Sequence, residues 1–165
     1  MSLVHPALTP HEQRAWRTYR EASRLLMEYV DRRLRHEARI RSAHHTVLVE
    51  LSEAPGRRLR MTELAACAQM SPSGLSHVVD RLQSFGWVRR EACATDRRGQ
   101  VAVLTDGGLD ALARAEPVHI DAIRRVFCGR LTAEQQRELW AIMEELGRGV
   151  RSVTAATTAA ATEGG

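Results

Sequence analysis

Two short stretches carry side chains suited to chemistry on a polyanion. The first is Ser71-Pro72-Ser73-Gly74-Leu75-Ser76-His77-Val78-Val79-Asp80-Arg81-Leu82. At helical spacing Leu75, Val78, Val79 and Leu82 share one side, which leaves Ser73, Gly74, Ser76, His77 and Arg81 on the other. Ser71 opens the segment and is counted with that polar face. Serine hydroxyls donate and accept, so they tolerate several bases. Arginine grips phosphate or reads guanine through O6 and N7. Backbone N–H groups near Ser73 and Gly74 can also hold a phosphate at a helix N-terminus. The second stretch is Asp96-Arg97-Arg98-Gly99, a polar turn between two strand-like runs. A guanidinium at such a tip, Arg98 foremost, can enter a narrow A·T-rich minor groove, where negative potential is enhanced. Arg97 suits a phosphate contact.

The charge distribution points the same way. All 24 basic residues of this 165-residue chain are arginine, and the net charge is +4. Between Arg57 and Arg98 lie eight arginines and four acids, so the whole formal excess falls in that window. Such a local excess is the electrostatic footprint of a polyanion-binding face.

Other chemistries find little support. No phosphate-binding glycine loop, His-Glu-x-x-His run or nucleophile elbow is present, so an enzyme is not expected. Cys67, Cys93 and Cys128 have neither a disulfide framework nor a Cys-x-x-Cys spacing. Neighbouring residues on a helix point about 100° apart, so one metal ion is not expected to take both His44 and His45. No metal or cofactor is therefore expected. A cysteine redox sensor, a metal sensor and a winged-helix module that binds protein stand as alternatives. No apolar run approaches the roughly 18 residues of a membrane span, and Met1 to Pro10 lacks a secretory pattern. A cytoplasmic, nucleoid-associated protein is expected.

The elements that must position these residues follow from caps and periodicity. Thr9-Pro10-His11-Glu12 reads as a capping box opening a helix to about His36, and a second helix spans about Ser42 to Ser52. Arg57 to Met61 is short and extended. Thr62 is expected to cap a short helix to about Ala68, followed by a helix from Pro72 to about Ser84 that Gly86 ends. Trp87 to Glu91 and Gln100 to Leu104 read as strands of a hairpin. Thr105-Asp106 caps a helix with Pro117 in its interior, where a kink is expected. Thr132-Ala133-Glu134-Gln135 opens the last helix. Residues 154–165 read as a disordered tail. The chain is thus a single, mainly α domain. Residues 41–105 form a winged helix-turn-helix, and residues 9–40 and 106–153 supply dimerisation helices, whose long apolar stripes call for a second copy.

These residues resemble the MarR family of bacterial transcription regulators over roughly residues 9 to 150. The matching runs are Val47-Leu48-Val49-Glu50-Leu51, Met61-Thr62-Glu63-Leu64-Ala65, the Ser71 to Leu82 stretch, Gly86-Trp87-Val88-Arg89-Arg90, Asp96-Arg97-Arg98-Gly99 and Val103-Leu104-Thr105-Asp106-Gly107-Gly108. The resemblance implies a homodimer that binds double-stranded DNA at a palindromic operator, usually as a repressor. It implies that Asp80 pairs with Arg98 to orient it; Asp96 is grouped with Asp80 as a wing-orienting acid. It also implies release by a small phenolic or other aromatic acid. Trp16, Tyr19 and Arg20 on the first helix, with Arg41, His44 and His45 on the second, are the candidate lining of that ligand's crevice. His45 stands where the family often has an aromatic residue, so the effector's identity does not carry over.

Overall fold

The computed structural model describes residues 7–93 and 96–163, with the side chains of 96–98 and 155–163 left aside. Helix α1 (Pro10–Arg33) opens on the expected capping box: the Thr9 hydroxyl accepts from the Glu12 N–H, and the Glu12 carboxylate accepts from the Thr9 N–H at 2.7 Å. Its last turn widens into a π-helical segment, Leu34–Ala38, closed by Arg39 in the left-handed region at φ 58°. Helix α2 (Ser42–Glu53) starts immediately after, and Asp31 of α1 accepts from its first N–H at 2.9 Å. This carboxylate therefore joins the two helices across the tight connection.

Strand β1 (Arg58–Arg60) leads into α3 (Met61–Cys67), α4 (Pro72–Ser84), β2 (Val88–Cys93) and β3 (Asp96–Leu104). The short helix α3 begins two residues earlier than expected. Arg60 rather than Thr62 is its N-cap, with the Arg60 N–H donating to Glu63 at 3.1 Å. The three strands pair antiparallel in the order β1-β3-β2. Val101, Ala102, Val103 and Leu104 are all buried, so the middle strand packs on both of its faces. The core gathers Leu48 and Leu51 of α2, Leu64 of α3, Leu75, Val79 and Leu82 of α4, and Leu104 of β3. Each such leucine contributes about 1.5–3 kcal/mol by leaving water.

Helix α5 (Asp106–Val126) runs unbroken through Pro117. Its start is tied to the hairpin by Thr105, whose hydroxyl donates to Gly86 at 2.7 Å and accepts from the Gly108 N–H at 3.1 Å. Gly108 is a packing requirement: a Cβ there would lie 2.2 Å from the Trp87 carbonyl oxygen. Arg33 donates to Asp121 at 3.0 Å, joining α1 to α5. The chain divides into two compact units at Ile123/Arg124, where the sequence suggested one domain. The second unit carries α6 (Ala133–Glu163), opened by the expected Thr132–Gln135 capping box. This helix continues past residue 154, where a disordered tail was expected. Alanine-rich sequence without Pro or Gly carries no stop signal there.

Candidate nucleic-acid interface

Helix α4 stands as the sequence suggested, with Leu75, Val79 and Leu82 buried and Ser73, His77 and Arg81 exposed. Its N-terminus, however, is already closed. The Ser71 hydroxyl accepts from the Gly74 N–H at 3.1 Å and lies 3.4 Å from the Ser73 hydroxyl. Ser71 is thus the N-cap. Gly74 is small for a reason: a Cβ there would come 3.0 Å from the Ser71 oxygen. The expected phosphate seat at the Gly74 N–H is taken by this cap.

Ser76 departs from expectation more sharply. It is half-buried, and both its hydroxyl and its carbonyl accept from Arg90 Nη2 at 3.1 Å. The same nitrogen lies 2.9 Å from Asp80 Oδ1. Arg90 therefore bolts the outer face of α4 to the hairpin strand β2. Sequence reasoning counted Arg90 in the basic window but gave it no role. The signal was available in strand alternation: Val88 and Arg90 share a face, and Val88 is buried. The side chains of Asp96, Arg97 and Arg98 lie outside the described residues, and with them the Asp80–Arg98 pair and the wing-tip contacts.

The window's other described arginines are mostly balanced. Arg58 and Arg89 lie 2.8 Å and 2.9 Å from Glu91, and Arg57 lies 3.7 Å from Asp106. Arg81 differs, because its guanidinium sits 4.8 Å over the Phe85 ring. That stacking holds a charge at the C-terminal end of the exposed α4 face.

A cleft of about 670 Å³ opens beside this face, lined by Arg35, Arg39, Ile40, Arg41, His44, His77, Val78, Arg81 and Phe85. It brings together two of the six residues expected to line a ligand crevice, Arg41 and His44. The other four are elsewhere. Trp16 and Tyr19 stack on each other at 5.9 Å on exposed turns of α1, with Arg20 over the Trp16 ring. His45 is buried and turns toward α5, its Nε2 3.0 Å from Glu116. The helical geometry that separates His44 from His45 sends only one of them to the cleft. Arg35, Arg39 and Phe85 were missed: the wide turn and the left-handed Arg39 that aim the two arginines have no plain sequence signature, and Phe85 stands at the C-cap of α4. The cleft is strongly basic. Burial pushes the His44 imidazole below its usual proton affinity, and Arg41 and Arg81 push it further, against a smaller opposing pull from Asp31. A neutral His44 among four guanidinium groups suits an anion with an apolar body resting on Phe85, Val78 and Ile40.

Comparison with known proteins agrees with this geometry. The family model described as MarR family matches residues 40–99. The HTH-type transcriptional repressor Rv2887 of Mycobacterium tuberculosis is 40% identical over 97 residues, 59% of this chain and 68% of the relative. Sco3205, a MarR family transcriptional regulator from Streptomyces coelicolor solved in complex with DNA, superposes with a TM-score of 0.84 at 48% identity, covering 88% of this chain and 91% of that one. AbsC, a MarR family regulator from the same organism, gives 0.83 at 37% identity over 90% and 99% of the two chains.

Proposed function

Because the chain belongs to the MarR family of DNA-binding transcriptional regulators, we propose that it acts as a homodimeric repressor of palindromic operators, released by a small aromatic acid. The observation that carries this reading is the exposed edge of α4, with Ser73, His77 and Arg81 outward and Arg90 bracing it against a basic hairpin. A braced helix keeps its side chains in register with base edges and phosphates. Two apolar surfaces support a second copy. Helix α1 exposes Trp16, Tyr19, Leu25 and Met27, and α6 exposes Trp140, Ile142, Met143, Leu146, Val150 and Val153. The α6 residues recur at helical spacing, and monomers seldom leave such stripes in water.

The aromatic acid is assigned to the Arg39–Arg81 cleft. Its carboxylate answers the guanidinium groups, and its ring answers Phe85. Since His77 and Arg81 belong both to the cleft and to the outer edge of α4, a bound acid and a bound duplex draw on the same side chains. Such a ligand acts only through unequal affinity for the free and DNA-bound states.

Selection from a random duplex pool tests the reading. Enriched sequences should be inverted repeats with half-site centres about 10 bp apart. The selected duplex should be protected across both half-sites and released by a phenolic acid that gives heat in calorimetry. Protection of one half-site refutes the dimer reading. A panel of phenolic acids that gives no heat and no release refutes the effector.

A further inference from the structure

A second side-chain cluster joins α2 to α5, apart from the exposed α4 face and from the residues that line the basic cleft. His45 reaches it from α2; Glu116 and His119, three residues apart on α5, reach it from one helix face. His45 Nε2 lies 3.0 Å from Glu116 Oε2, and the two imidazole rings approach to 4.3 Å between centroids. One donor atom from each of the three residues lies within 4.8 Å of the others. An ordinary histidine–carboxylate hydrogen bond accounts for His45 and Glu116. It does not account for His119, whose ring has no hydrogen-bond partner among the described residues while facing another imidazole.

We propose that His45, Glu116 and His119 form a site for one zinc-class divalent ion that ties α2 to α5. Two imidazole nitrogens and one carboxylate oxygen are a borderline-soft donor set, which fits zinc and its neighbours; magnesium and calcium prefer oxygen alone. Three protein donors leave one position of a tetrahedron for water. A zinc ion at about 2.0–2.2 Å from each donor needs donor atoms roughly 3.3 Å apart. The His45–Glu116 pair already meets that spacing, and the third donor closes the remainder by side-chain rotation. The Glu116 carboxylate offsets part of the ion's charge, and both α5 residues are only half-buried, which leaves an entry path. His44, the residue before His45, lines the basic cleft, so an ion here restrains the helix turn that forms part of the cleft wall.

The test uses the untagged full chain, stripped with EDTA and titrated with Co(II), then with Zn(II) against a chromophoric chelator. One equivalent of Co(II) should give visible ligand-field bands without thiolate charge transfer, and Zn(II) should displace it. His45 is buried and its replacement risks the fold, so the variants are His119→Gln and Glu116→Gln, checked by circular dichroism and metal-free Tm. Each should lose the cobalt bands and bind Zn(II) at least about 100-fold more weakly, since even the loss of a partner outside the ligand set costs about 10–100-fold. His11→Gln, on the exposed start of α1, should change neither readout. No cobalt spectrum, a thiolate spectrum, or unchanged affinity in both variants overturns the site. The measurement involves no DNA, so its failure leaves the operator reading standing.

Discussion

Replacing Arg90 by Met tests whether α4 is held in place from the hairpin. Methionine keeps the apolar stem, so no large cavity opens and the change is confined to the guanidinium. Three acceptors converge on one nitrogen: Ser76 O and Oγ at 3.1 Å and Asp80 Oδ1 at 2.9 Å. That nitrogen has two hydrogens, so at most two full bonds are lost. Hydrogen bonds to a charged group are worth about 1.5–3 kcal/mol each. The Asp80 side chain is 56% exposed, so its share is screened. The Ser76 carbonyl keeps a place in the helix ladder, and its hydroxyl can turn to water. The net loss is then about 1.5–2 kcal/mol, or roughly 3–8 °C in Tm for a chain of this size. Thermal unfolding followed by circular dichroism reads the stability. Titration of the selected duplex at several salt concentrations reads the rest. Affinity should fall while the slope of log K against log salt stays unchanged, because Arg90 points at α4 and neutralises no phosphate. A slope lowered by about one unit would mean Arg90 grips the duplex itself. An unchanged Tm with unchanged affinity would refute the bracing role.

Arg98→Ala should weaken duplex binding and lower the salt slope by about one unit, measured in the same titration; an unchanged slope and affinity would remove the wing-tip contact. Gly108→Ala should destabilise the chain by about 1–3 kcal/mol in urea unfolding, since the new methyl meets the Trp87 carbonyl and a Leu104 methyl. His44 carries a folded-state proton affinity below its unfolded one, so its contribution is fully present above about pH 6.5 and is lost as pH falls through the lower folded value. Urea midpoints from about pH 8 to about pH 5 should therefore decline, and His44→Gln should flatten part of that decline.

What the sequence made legible was whatever depends on neighbours along the chain. The capping boxes at Thr9 and Thr132, the buried stripe of α4 and the hairpin after Gly86 all follow from local spacing, and all appear in the fold. The cleft does not follow, because its wall is assembled from the π-helical segment, the turn after it, α2 and α4. Trp16 and Tyr19 read as pocket aromatics because an aromatic wall with a cation nearby suits an aromatic carboxylate, yet their turns of α1 lie exposed. Phe85 supplies the aromatic surface instead, at the C-cap of α4. Ser76 read as free because a helix wheel shows which side is outward but not that a strand arginine crosses over to claim it. His45 and Glu116 meet across 71 residues of sequence, a distance over which periodicity carries no information.

The π-helical segment at Leu34–Ala38 holds one residue more than an ordinary turn would. Each residue in a helix advances the wheel by about 100°. The wide turn absorbs that advance, so deleting a single residue here would restore a regular turn and leave the Trp16–Tyr19 side of α1 facing much as before. What the deletion would undo is the aim of Arg35 and Arg39, both of which line the basic cleft. The extra residue is thus an insertion folded into the helix, and its effect is felt at the cleft wall and not along the axis.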